Sequence, residues 1–145
     1  MIMNITYTNT ITPEEFNALR AAVGWIEIEN GLAIKGLEHS AFIVCVRDGE
    51  RAIGTARIIT DYGYTVYIAD VIVHPDYQGN GIGGEIMSRI MAYIDENIAP
   101  GQEKLIALMS AKDKEGFYEK FGFVKRPNDN WGCGMTQWIK KEETL

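Results

Sequence analysis

The stretch that decides the fold runs from Val71 to Gly84 and reads Val-Ile-Val-His-Pro-Asp-Tyr-Gln-Gly-Asn-Gly-Ile-Gly-Gly. Its β-branched beginning is typical of a strand, and Pro75 ends that strand because proline has no N–H to give to a ladder. The glycines that follow precede a long isoleucine repeat. Free N–H groups at a helix start, together with the positive end of the helix dipole, bind anions. The stretch therefore predicts a strand, a phosphate-binding turn and a helix, in that order.

The same glycines also match the dinucleotide pattern G-x-G-x-x-G, so a Rossmann site is an alternative. That site belongs to the first strand-helix-strand unit and needs an acidic residue at the end of the next strand. Here three predicted antiparallel strands come first, and the next strand ends in Leu108-Met109-Ser110. A Walker A loop is excluded because no Gly-Lys-Ser/Thr follows. A tight turn without any ligand is disfavoured, because clustered glycines at a helix start oppose helix formation.

Downstream of the glycines, isoleucine recurs every four residues from Ile82 to Ile98, which predicts a helix with one apolar stripe. Pro100-Gly101 ends it. The unbroken apolar run 105–109 then predicts a strand buried on both faces, so the chain makes a parallel crossover. Residues 113–121 predict a short helix, and residues 123–124 with 134–139 predict a closing hairpin.

Upstream, the first helix has a clear start, with Thr12 as N-cap, Pro13 in the first turn and Glu15 completing a capping box. It should end at Gly24. The other predicted elements are a strand over 3–8, a short helix over 32–37, strands over 41–47 and 51–60 joined by Asp48-Gly49-Glu50, and a strand over 64–73. The last three strands predict an antiparallel meander.

The composition indicates one domain covering residues 1–145, of a size that buries a substantial core. A net charge of -6 with 14 scattered basic residues argues against a nucleic-acid surface, so an anionic ligand must be held by backbone groups. Neither a signal peptide at residues 1–10 nor a membrane-length apolar run is expected. Cys45 and Cys133 show no metal-ligand or disulfide spacing, which predicts a cytoplasmic protein without a metal.

Two motifs resemble the GCN5-related N-acetyltransferases (GNAT). Residues 71–83 look like that family's acetyl-CoA signature, and Phe117-Tyr118-Glu119-Lys120-Phe121-Gly122-Phe123 looks like its aromatic helix end. Gln78 stands where most members carry arginine, which affects one phosphate contact. The resemblance implies an α/β (α+β) fold with a mixed central sheet: an antiparallel meander, then a parallel βαβ crossover, with helices on both faces.

The resemblance also implies direct transfer of an acetyl group from acetyl-CoA to a primary amine of a small molecule or peptide, with no acyl-enzyme. It suggests a homodimer. A non-catalytic acyl-CoA sensor on the same fold, and a small module that binds NAD or ATP, are the alternatives. The residues implied to contact the cofactor are Val71, Ile72, Val73, Gln78, Gly79, Asn80, Gly81, Ile82, Gly83, Gly84, Ser110, Phe117 and Tyr118.

In the mechanism so implied, Tyr118 protonates the departing thiolate and Asp70 is the general base. His74 is the second candidate for the base, followed by Asp61 and Glu27. A bulge near Asp70 is expected to free an N–H at Val71 or Ile72 for the oxyanion. The implied acceptor region contains Trp25, Glu27, Glu29, Tyr62, Tyr64, Tyr67, Asn130 and Trp131, an aromatic and acidic set suited to a cationic amine.

Overall fold

The computed structural model describes residues 3–144, which form two compact units that divide between Leu108 and Met109. The prediction of a single domain is not tested by this division. In the first unit the elements are β1 (Ile5–Thr8), α1 (Pro13–Ala22), α2 (Asn30–Glu38), β2 (Phe42–Asp48), β3 (Arg51–Thr60), β4 (Thr65–Val73), a 3-10 turn (Pro75–Tyr77), α3 (Ile82–Glu96) and β5 (Leu105–Leu108). The second unit contains α4 (Glu115–Glu119).

The first unit is built on a five-stranded sheet in the order β1-β2-β3-β4-β5. The first four strands pair antiparallel, and β5 pairs parallel with β4. The parallel pair follows from the crossover through α3, since a parallel neighbour needs a long connection. The predicted mixed sheet, a meander followed by a βαβ crossover, is confirmed.

Helices cover both faces of this sheet. On one face, Phe16 and Leu19 of α1 and Leu37 of α2 form a buried cluster with Cys45 and Ile72 of the strands. On the other face lies α3, whose isoleucine stripe is buried as the four-residue spacing predicted. The close approach of the two layers is visible at Gly54 of β3, where a Cβ atom would lie 3.2 Å from Cδ1 of Ile86. The strand β4 therefore lies between α1 and α2 on one face and α3 on the other.

Two predictions about the second half of the chain are wrong. The strand β5 is not buried on both faces: it lies at the edge of the sheet, and Leu105 is 55% exposed. An apolar run cannot tell a central strand from an edge strand, because the number of neighbours is set by the tertiary fold. The predicted closing hairpin is also absent, since the described residues from Phe123 to Thr144 contain no strand.

In the second unit, α4 is followed by a C-terminal segment, residues 124–144, which contains no helix or strand and in which every residue is exposed. Its large apolar side chains include Met135, Trp138 and Ile139, which are 89%, 79% and 77% exposed. Over residues 3–144, no helix combines the length and apolar character needed to cross a membrane.

Candidate active site

The glycine turn adopts a backbone that glycine favours. Gly79 and Gly81 have φ angles of 82° and 75°, in the left-handed region that costs a side-chain-bearing residue about 1 kcal/mol. The Asn80 side chain fixes the turn by donating to the Tyr77 carbonyl oxygen at 3.0 Å. Tyr77 is itself buried, and its hydroxyl donates to the Asp48 carboxylate at 2.5 Å. The turn is therefore anchored to the end of β2.

The main-chain amides of residues 79–84 are the central feature of the site. Within residues 3–144, none of these six N–H groups donates to a protein acceptor, and the first intrahelical bond comes from the N–H of Glu85 to Gly81 O at 3.1 Å. No side chain caps α3, whose N-cap is Gly81. Most helix starts satisfy their free N–H groups with a capping side chain. The turn instead leaves a group of uncommitted donors at the positive end of a 15-residue helix.

The space around these glycines also suits a ligand. A Cβ atom placed on Gly79, Gly81 or Gly84 would meet no other atom within 4 Å. Packing inside the protein does not demand glycine at Gly84, and its helical position would favour alanine. A diphosphate approaching the amides at hydrogen-bond distance is a physical reason for leaving out the side chain. The turn therefore has the geometry of an anion-binding site.

Gln78 points its side-chain amide back toward the sheet. Nε2 of Gln78 donates to the carbonyl oxygen of Val73 at 3.0 Å, which joins the start of the turn to the end of β4. This bond gives Gln78 a part in fixing the loop, beside the phosphate contact predicted for it. His74 is also engaged: its Nδ1 accepts from the N–H of Asp76, and its Nε2 lies 3.1 Å from Nη2 of Arg51.

A bulge interrupts the pairing of β4 with β3, at the position that the family resemblance implied. Arg57 pairs with Ala69 and Thr55 pairs with Ile72, so two residues of β4 face Ala56 alone. The first of those two is Asp70, which has a φ of 55°. An extra residue in one strand breaks the ladder locally and turns the following backbone groups.

The bulge determines which amides of β4 are free. The N–H of His74 donates to Ile53 O in β3, and alternate residues of a strand face the same neighbour, so the N–H of Ile72 also faces β3. Val71 and Val73 therefore direct their N–H groups to the β5 side. The described pairing with β5 ends at Ile68 and Leu108. Of the two N–H groups predicted for the oxyanion, the one at Val71 is directed to the open edge and the one at Ile72 is not.

Asp70 lies in an ion cluster that the sequence did not reveal. One oxygen of its carboxylate accepts from Nη1 of Arg20 at 2.8 Å, and the other accepts from Nε of Arg57 at 2.7 Å. The side chains of Arg20, Asp70 and Arg57 are 9%, 14% and 17% exposed. We call these three residues the Asp70 cluster. The signal that could have indicated it is Arg57, a charged residue between Ala56 and Ile58 in the interior of β3.

The loop between α1 and α2, residues 23–29, belongs to the predicted acceptor region and is pinned by side chains of α1. Nε of Arg20 donates to Ile26 O at 2.7 Å, and the Asn17 side chain makes two 2.8 Å bonds to the backbone of Ile28. Glu29 has a structural role here, since its carboxylate accepts from the N–H groups of Gly31 and Leu32 and caps α2. Tyr62 and Tyr64, in contrast, are exposed at the tip of the β3–β4 hairpin.

In the second unit, Tyr118 lies on α4 and is buried, with its ring packed edge-on against Phe117 and Phe123. Burial raises the pKa of Tyr118 to about 12. No described residue forms a hydrogen bond with its hydroxyl. Every fully buried polar side-chain atom among the described residues does have a partner, so this hydroxyl is not fully buried. The hydroxyl oxygen therefore reaches solvent from a buried ring. The Ser110 hydroxyl donates to Ala111 O at 2.7 Å.

Comparison with known proteins agrees with this geometry. Residues 38–125 match the family model described as an acetyltransferase (GNAT) domain. An uncharacterized N-acetyltransferase, ycf52, from Porphyra purpurea is 30% identical over 86% of this chain and 71% of its own length. GCN5-related N-acetyltransferase 1, chloroplastic, from Arabidopsis thaliana is 28% identical over 83% of this chain and 60% of its own length. A crystal structure of a probable acetyltransferase from Staphylococcus aureus superposes with a TM-score of 0.82 at 31% identity, covering 92% of this chain and all of that one.

Proposed function

From the premise that this chain belongs to the acetyltransferase (GNAT) family, we propose that it moves an acetyl group directly from acetyl-CoA to a primary amine of a small molecule or peptide. The observation that carries the donor assignment is the set of six uncommitted amides at the start of α3. The cofactor-binding residues we propose in the turn are Gln78, Gly79, Asn80, Gly81, Ile82, Gly83 and Gly84. Acetyl-CoA supplies an activated thioester, and the residues of this chain bind and orient it.

The reaction itself needs few protein groups. The amine nitrogen forms a bond to the acetyl carbonyl carbon, the carbon–sulfur bond breaks, and a proton leaves the nitrogen while the thiolate takes one up. We assign the N–H of Val71 to the carbonyl oxygen, since a preorganised donor of this kind contributes roughly 3 kcal/mol in other acyl transfers. Val73 and Ile72 complete the proposed contacts along β4.

We assign proton donation to Tyr118, because its hydroxyl is uncommitted and its raised pKa of about 12 keeps it protonated at neutral pH. Ser110 and Phe117 stay predicted cofactor contacts. Asp70 is the general base that the sequence predicted, but both of its carboxylate oxygens are engaged by arginines.

The wider organisation follows as part of the same proposal. We keep residues 1–145 as one N-acetyltransferase domain and propose a homodimer in which a second copy covers part of the exposed C-terminal segment. Isolated chains rarely leave a tryptophan, a methionine and an isoleucine this exposed within a few residues. The cytoplasmic location stays a prediction, while the Arabidopsis relative is named as chloroplastic.

A panel of amines incubated with acetyl-CoA and the protein tests the proposal, with release of free thiol as the signal. We expect thiol release with at least one class among arylalkylamines, polyamines, amino acids and peptides with a free N-terminus or lysine. Tight binding of acetyl-CoA without turnover on any of them would favour the acyl-CoA sensor. Binding of NAD or ATP in place of coenzyme A would refute both readings.

A further inference from the structure

The Asp70 cluster connects two parts of the proposed active site. Asp70 is the left-handed residue of the β4 bulge, and both of its carboxylate oxygens are held by arginines. Arg20 comes from α1 and also holds the backbone of the α1–α2 loop at Ile26. Arg57 comes from β3 and donates to Gly36 O and Ser40 Oγ, each at 3.1 Å, at the end of α2. One carboxylate thus joins the bulge to both helices on its face of the sheet.

Each arginine is itself fixed, so the cluster is rigid. The guanidinium of Arg20 lies 5.7 Å from the ring centre of Phe16 and 5.4 Å from that of Trp25. Such stacking, with a hydrogen bond on each side, leaves the guanidinium little freedom. Two charge-assisted bonds hold Asp70 in a backbone region that a non-glycine residue rarely adopts.

A clamped carboxylate is poorly suited to collecting a proton from an amine. Each of its oxygens already accepts a hydrogen bond from an arginine, so the carboxylate is not free to rotate toward the proton that a base would remove. The same arrangement is well suited to keeping a strained backbone in place. The backbone in question determines that the N–H of Val71 is directed to the open edge of β4.

We propose that Asp70 is a positioning residue: clamped by Arg20 and Arg57, it holds the β4 bulge that aims the Val71 amide, and it ties that bulge through Arg20 to the α1–α2 loop. The inference rests on the proposed acetyl transfer. In this proposal the glycine turn binds the diphosphate, whereas the bulge aligns the reacting carbonyl group. Changes in the cluster should therefore reduce kcat much more than they weaken acetyl-CoA binding.

Paired substitutions at Asp70 separate positioning from base catalysis. Asn tolerates the left-handed region and keeps an oxygen acceptor, whereas Ala has neither property. Positioning predicts that Asp70→Asn keeps kcat within about ten-fold of the parent, while Asp70→Ala loses about 100-fold, the scale of a misaligned reacting group. If Asp70 is instead the general base, the kcat of both variants should fall by roughly 100-fold or more, to the same extent. Equal losses would overturn the proposal.

Arg57→Lys provides a second comparison that does not touch the carboxylate. Lysine keeps the charge but cannot reproduce the fork of bonds to Asp70, Gly36 and Ser40. We expect kcat to fall several-fold with the dissociation constant of acetyl-CoA changed by less than about two-fold, because the turn is untouched. An unchanged or increased kcat would contradict the clamp, since releasing the carboxylate would help a base. Asp95→Asn, at an exposed position of α3, is the matched control for Asp70→Asn and should leave kcat unchanged.

The backbone of residue 70 can be followed without any turnover. The three-bond coupling between its amide and α protons reports φ, and we expect the parent and Asp70→Asn to share the value of a positive φ while Asp70→Ala moves to an extended one. If Asp70→Ala does not fold, Asp70→Gly replaces it, because glycine holds a positive φ without a clamp. Asp70→Gly and Asp70→Asn that both keep kcat within about ten-fold of the parent support positioning, whereas a loss of roughly 100-fold in both opposes it. A parent protein without acetyl transfer would refute the proposed function, whereas a positive φ kept in Asp70→Ala would refute the clamp.

Discussion

Gly84→Ala should move stability and coenzyme affinity in opposite directions. Gly84 occupies the third position of α3, and a Cβ atom there would meet no other atom of the protein within 4 Å. Alanine is the better helix former by up to about 1 kcal/mol, and about half of that is reasonable in a first turn. The variant should therefore be more stable by about 0.5 kcal/mol, which raises Tm by roughly 2 °C in a chain of this size.

The same methyl group should weaken binding of coenzyme A. It projects from the turn whose amides are proposed to hold the diphosphate, and one hydrogen bond to a charged group contributes about 1.5–3 kcal/mol. Losing one such bond raises the dissociation constant by about ten-fold to 100-fold. Titration calorimetry with coenzyme A measures the affinity, and a thermal melt of the ligand-free protein measures the stability.

Ser88→Ala is the control, because Ser88 is exposed one turn further along the same helix. It should raise stability slightly and leave the affinity unchanged. If Gly84→Ala binds coenzyme A as tightly as the parent, no phosphate lies against the start of α3, and the assignment of the donor site is refuted. If instead Gly84→Ala is strongly destabilised, the open space assigned to that position is wrong.

Three further changes test other parts of the structure. Tyr118→Phe should lower kcat roughly 100-fold with an unchanged dissociation constant for acetyl-CoA, and an unaltered kcat removes Tyr118 from the mechanism. Because the pKa of Tyr118 is about 12, the parent protein should not lose activity through deprotonation of this group below about pH 10. Hydrogen bonds from Arg47 and then from the Thr12 amide hold the pKa of Glu15 at about 2, below its ordinary value of 4.5, so its stabilising effect is complete above pH 4.5 and is lost as the pH falls toward 2. Urea unfolding of Glu15→Gln should show a loss of about 1–2 kcal/mol at pH 7 that shrinks at pH 3, and a loss independent of pH would contradict the ion pair. Replacing both Trp138 and Ile139 by serine should shift the sedimentation of the protein toward the monomer without lowering Tm, and a parent that is already monomeric would refute the proposed dimer.

The sequence predicted the elements whose signals are local. Thr12 and Glu15 exchange the two bonds of a capping box, at 3.0 and 3.1 Å, because both partners lie within one helical turn. The isoleucine stripe of α3 is buried at each position from Ile82 to Ile94. In both cases the deciding residues are close in sequence, so the spacing carries the geometry.

Features that depend on distant partners were not predictable in this way. The edge position of β5 and the exposed C-terminal segment depend on which strands have neighbours, and a run of apolar residues carries no count of neighbours. Arg20 and Arg57 are 50 and 13 residues from Asp70 in the chain. The bulge was expected from the family resemblance, while the charges that hold it became visible only in three dimensions.

The acidic net charge is compatible with the proposed anionic coenzyme, because repulsion by the net charge and attraction by main-chain amides act at different distances. The net charge of -6 is spread over the whole chain, and at ordinary salt its repulsion is screened beyond about 10 Å. The amides of residues 79–84 act within hydrogen-bond distance, where screening by ions is weak and the dipoles of α3 add to each other. Glycine is what permits that approach, since a side chain on the turn would hold the phosphate away from the N–H groups. In the proposed donor site the glycines therefore take the place of basic side chains, and the scattered distribution of the 14 basic residues is compatible with a ligand of high negative charge.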